Sequence, residues 1–106
     1  MDKVAAIREL NDRFRTEFKG GQVMLTRGIA GRPDTVLILA QVAKFDAFGP
    51  DNDPHGEHDF GAFEHGGDTI FWKIDYYDPK LDYGSEDPSN PSITTRVLTV
   101  MLAEDY

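Results

Sequence analysis

The stretch TIFWKIDYYD, residues 69–78, sets Ile70, Trp72, Ile74 and Tyr76 on one side of an extended chain and Phe71, Lys73, Asp75 and Tyr77 on the other. Both sides are partly apolar, which predicts a strand central to a sheet with one face under helices. Just before it, Gly66-Gly67-Asp68 separates this run from FGAFEH, a second aromatic run of strand character. A hairpin over about residues 59–78 is therefore the predicted centre of the fold.

The flanks read differently. Val4, Ile7, Leu10, Phe14 and Phe18 recur at steps of three and four, the spacing that gathers side chains on one helix face. Asp2 is the expected N-cap and Gly20-Gly21 the stop, with Lys3, Arg8, Glu9, Asp12, Arg13 and Arg15 expected on a solvated outer face. QVMLTRGI alternates as a short strand does. Residues 35–48 fit a helix with Ile38, Val42 and Phe45 inward, although Val36 to Leu39 also suits a buried strand; the helix is preferred. At the other end Asn90 and Pro91 resemble the start of a C-terminal helix with the stripe Ile93, Val97, Val100 and Met101. The expected fold is α+β: one domain over residues 1–106, a small antiparallel sheet packed by an N-terminal and a C-terminal helix.

Charge is unevenly distributed. Residues 1–45 carry 8 Lys/Arg against 5 Asp/Glu, whereas residues 46–87 carry 12 Asp/Glu against Lys73 and Lys80 alone. The whole chain stands at −8, which argues against direct binding to a nucleic-acid backbone. With no cysteine there is no disulfide, thiolate metal site or cysteine nucleophile. The N-terminus lacks the apolar core of a signal peptide, and no stretch reaches the ~18 apolar residues of a membrane span. A soluble cytoplasmic protein with no membrane partner is expected.

The loop GPDNDPHGEHD, residues 49–59, holds the densest polar group. Carboxylate and imidazole are donors that a divalent transition metal prefers, and His55, His58 and Asp59 are the candidate ligands, with Asp51, Asp53, Glu57 and His65 nearby in sequence. The spacing is not that of a helical His-Glu-x-x-His, and Asx-turns account for such a loop without any metal. An EF-hand match from Asp51 fails at its twelfth position, Ala62. Asp51 with Asp78-Pro79-Lys80 is a weak nuclease pattern, and no serine has the context of a nucleophile. Tyr77 and Tyr83 lie near turns, where tyrosine among carboxylates suits a protein-binding surface.

The words FDAFGPDNDPHGEHDFGAF, FWKIDYYD and RVLTVMLAEDY together resemble a bacterial family known as a domain of unknown function. The similarity runs from the first helix to the last residue. The resemblance implies a setting on plasmids and other mobile elements, and it implies no activity, cofactor or catalytic residue.

These readings lead to an expected function without catalysis: an acidic interaction domain that docks on a basic surface of a nucleic-acid-handling host protein. A nuclease or CRISPR effector is the expected kind of partner, blocked by nucleic-acid mimicry in the manner of an anti-CRISPR inhibitor. The expected contact residues are Asp46, Asp51, Asp53, Glu57, Asp59, Tyr77 and Tyr83. One alternative is a metal-dependent hydrolase or lyase built on loop 51–59; another is an antitoxin or immunity protein. Trp72 is placed in the core, so Trp72→Ala should cost ~3–5 kcal/mol in a denaturant titration, and a loss under ~1 kcal/mol would put the indole on the surface instead.

Overall fold

The computed structural model describes residues 2–106. Helix α1 spans Lys3–Glu17, and the Asp2 carboxylate caps it by accepting the Ala5 N–H at 2.7 Å. It ends where Phe18 takes a left-handed conformation and its N–H returns to the Phe14 carbonyl. Strand β1 (Gly21–Leu25) follows, then a single turn of helix α2 (Arg27–Ala30) and helix α3 (Thr35–Lys44). Residues 35–44 are thus helical, with Ile38 and Val42 buried. The hairpin is β2 (Phe60–His65) and β3 (Asp68–Tyr77), turned by Gly66 and Gly67, both at positive φ.

The C-terminal segment departs from expectation. Asn90 does cap, accepting the Ser92 N–H, but the turn it starts is one 3-10 turn, Pro91–Ile93. Thr95–Leu102 is strand β4, not a helix. Val97, Val100 and Met101 fit a helical stripe, yet the segment is rich in β-branched residues that lose rotamer freedom in a helix. Pairing decides the matter, because β4 lies between β1 and β3 in the order β1-β4-β3-β2 and is bonded on both edges. β2, β3 and β4 run antiparallel, while β1 joins β4 in parallel, so the sheet is mixed.

The helices pack on one face only. There Ile70, Trp72 and Ile74 of β3 and Leu98 and Val100 of β4 meet Phe14, Ile29, Ile38 and Val42. Two cations lie within this layer. Arg15 and Arg96 are each 3% exposed, so Arg15 does not belong to the solvated face its helical position suggested. Arg15 donates to the carbonyls of Val42 and Ala43 at the end of α3, and its guanidinium lies 5.0 Å from the Trp72 ring centroid. No described helix is long and apolar enough to cross a membrane.

Gly61 faces Trp72 across the hairpin, and a methyl group there would run into the indole and the Phe45 ring. The glycine makes room for the largest side chain of the core. Gly61→Ala should therefore destabilise by roughly 1–3 kcal/mol through overpacking, while Gly67→Ala, facing open space, should show only the smaller strain of its positive φ. Thermal unfolding of the two variants checks the order.

Candidate functional site

Loop 45–59 is held against α1 by polar contacts, which fixes where its acids point. Asp53 is 8% exposed and accepts the His58 N–H at 3.1 Å. His58 donates from Nδ1 to Asp12 at 2.8 Å and stacks on Phe48, ring centroids 3.8 Å apart. Asp12 also accepts from Arg15. Glu57 accepts the Tyr76 hydroxyl at 2.6 Å, and burial together with that carboxylate pushes the Tyr76 phenol well above the ordinary tyrosine range. Asp59 is half-buried; desolvation first, then the charge of Glu57, raises its carboxyl above the usual value. Only Asp46, Asp51 and His55 of the candidate loop residues are exposed.

His55, His58 and Asp59 are not gathered as ligands, and among the described residues no three His, Asp or Glu side chains are grouped so as to hold a metal ion. His65 lies elsewhere, in a clamp between the hairpin and α3. Gln41 contacts its Nδ1 at 2.6 Å and Asp34 its Nε2 at 2.8 Å, a geometry that suits the Nε2–H tautomer with the amide donating to Nδ1. Arg32 bonds Asp34 with two nitrogens and Asp68 with a third. Arg32 and His65 together hold the Asp34 carboxyl far below the ordinary carboxylate range. Both ring nitrogens of His65 are occupied, so this Asp-His pair ties the fold together and has no free nitrogen for acid-base work.

The opposite face of the sheet carries the larger opening. A groove of about 590 Å³ runs across it, lined by Met24, Tyr77, Leu81, Val97, Met101 and Tyr106 among others, with Asp75 and Asp105 also on its wall. Lys73, its one cation, is paired with Asp75 at 2.9 Å. The turn after β3 forms one end. Asp78 accepts the N–H groups of Lys80 and Asp82, and the Asp78 N–H returns to the Tyr83 carbonyl. This turn holds Leu81 at φ 62°, a left-handed conformation that leucine seldom adopts, and leaves the side chain on the groove wall. Tyr83 projects from the same turn at 77% exposed, with Asp82 and Glu86 exposed near it in sequence.

The structure thus divides the residues proposed for docking. Tyr76 points to Glu57 and Asn11 on the helix side, so Tyr77, next along β3, points to the open face. Asp46 and Asp51 belong to the loop on the helix side and Tyr77 to the open face, whereas Tyr83 lines a separate hollow with Pro79, Glu86 and Ile93. The sequence reading missed Leu81, Met24 and Tyr106, whose joint position is set only by strand order.

A family model described as a protein of unknown function, DUF3768, matches residues 25–105. The chain belongs to this family. No curated protein and no solved structure matches it. The DUF3768 match takes in α2, α3, the whole hairpin and β4, and so includes the acidic loop and all of the 78–84 turn.

The Asp59 environment sets a pH-dependent test. A carboxyl whose folded pKa is raised disfavours the folded state above that pKa, and the penalty disappears below the unfolded value near ~4. Asp59→Asn should raise the melting temperature at pH 7, and the difference from wild type should vanish by about pH 3.5. Equal melting temperatures at pH 7 would show that Asp59 is well solvated.

Proposed function

We propose that this DUF3768 domain is a non-enzymatic interaction module whose open sheet face docks a basic protein. The observation that carries the reading is the one-sided cover: helices shield one face of the sheet, and the other presents an aromatic and aliphatic groove walled by Asp75 and Asp105. Exposed tyrosine supplies contact area at small entropic cost, and carboxylates around it steer a cationic partner. Part of the positive charge is withdrawn from the surface, because Arg15 and Arg96 are buried and Arg32 is held by Asp34 and Asp68. Net charge of −8 gives the field its sign.

Within this reading the partner is a nucleic-acid-handling protein, a nuclease or CRISPR effector, whose Lys/Arg groove the acidic surface occupies in place of DNA or RNA. That would make the domain an anti-defence inhibitor. The supports are the charge and the exposed acids of the 78–86 turn.

The test uses a partner captured from the native host and binding measured at low salt. Asp75→Lys with Asp105→Lys, both on the groove wall, should weaken binding at least tenfold, or ~1.4 kcal/mol, and raised salt should slow association far more than it speeds dissociation. Asp46→Lys with Asp51→Lys, on the helix side, should change affinity much less. Unchanged binding by the Asp75/Asp105 variant would overturn the open-face reading, and a loss confined to the Asp46/Asp51 variant would move the docking surface to loop 45–59.

A further inference from the structure

Helix α3 carries its apolar residues on the wrong side as well as the right one. Ile38 and Val42 fill the inward arc, but the solvent arc holds Val36, Leu37, Ala40 and Lys44, so three of its four side chains are apolar. Val36 is 77% exposed and Leu37 60%, the two most exposed aliphatic residues among the large hydrophobic side chains described. A helix that faces only water places charged and polar residues on that arc. This one is unpartnered.

We propose that α3 is the contact of a homodimer, packed antiparallel against α3 of a second copy about a two-fold axis near Ala40. Charge complementarity selects this occupant. At the N-terminal end of the helix the single guanidinium of Arg32 is shared by two carboxylates, Asp34 and Asp68. At the C-terminal end Lys44 is exposed and makes no ion pair among the described residues. Antiparallel pairing lays the Lys44 stem over Val36 of the second copy and brings its ammonium to the Asp34–Asp68 end. A hollow of about 540 Å³ beside Val36 and Leu37, lined by Gly31, Arg32, Pro33 and Asp34, gives the lysine room. Opposed helix dipoles favour the same orientation, and the small side chain of Ala40 lets the axes approach. The two-fold makes each ion pair occur twice. This contact lies on the helix side of the sheet and does not depend on the docking reading.

A single ten-residue helix buries less than the ~800 Å² per partner of a standard interface, so the dimer should be weak and concentration-dependent. Sedimentation velocity of the full chain from about 10 to 500 µM should show monomer passing to dimer. Leu37→Asp, at an exposed position where the fold tolerates it, should abolish the dimer, and Lys44→Glu should weaken it at least tenfold. Because the chain has no cysteine, Ala40→Cys gives a clean geometric probe. Under mild oxidation it should form a disulfide dimer much faster than Glu17→Cys, an exposed position at the end of α1. A monomer throughout the range would overturn the proposal and leave the patch to a foreign protein. So would a dimer that survives Leu37→Asp, or equal cross-linking rates at the two cysteines.

Discussion

The side-chain amide of Asn11 joins the parts of this molecule. It is fully buried on α1, where its oxygen accepts from Arg96 of β4 at 2.8 Å and its nitrogen donates to the Glu57 carbonyl and the Tyr76 hydroxyl. One amide thus touches the first helix, the acidic loop and the two inner strands. A buried polar group costs little only when its partners are in place, so this contact penalises any arrangement in which one of the four is displaced. Arg96 extends the network by lying over the Tyr76 ring at 5.2 Å and donating to the Pro88 carbonyl. Arg15 performs a parallel task one helical turn on, tying α1 to the end of α3.

These internal uses of cations shape the outside of the protein. The first 45 residues are richer in Lys and Arg than in acids, yet Arg15 is buried, Arg8 donates to the Gly56 carbonyl and Arg32 is held by two carboxylates. Fold stability and surface sign are therefore coupled. The acids are divided as well: Asp12, Asp53 and Glu57 serve the network, whereas Asp82 and Glu86 remain free for a partner.

The one-sided cover of the sheet follows from the same economy of material. In a chain of 106 residues, three helices and a mixed four-stranded sheet make a two-layer body with one covered sheet face. The short C-terminal turn Ala103–Asp105 folds back so that Tyr106 packs edge-on against Phe71, covering part of the second face and leaving the groove beside it. Placed on that face, the alternating residues of β3 become a wall of mixed character, Lys73 and Asp75 neutralising each other between aromatic neighbours.

Local chemistry was legible in the residues themselves. The glycine pair at 66–67, the alternation about Trp72 and the three-and-four spacing of Ile7, Leu10 and Phe14 each describe one element, and an element's period is written within its own segment. α+β class and the inner position of β3 followed from them. The segment at 91–102 was misread because a stripe at steps of three and four also satisfies a strand with apolar residues on both faces; only pairing with β1 and β3 chooses between them. Arg8 and Arg15 looked like surface residues, and Asn11 carried no signal at all, for a related reason. A polar side chain is buried when partners from distant segments can satisfy it, and Glu57, Tyr76, Arg96 and Val42 reach them only after the chain has closed. The sequence by itself thus determined the first helix, the central hairpin and the sign of the charge. Tertiary structure alone decided which acids are spent inside and which face of the sheet stays open, because both depend on contacts between residues far apart in the chain.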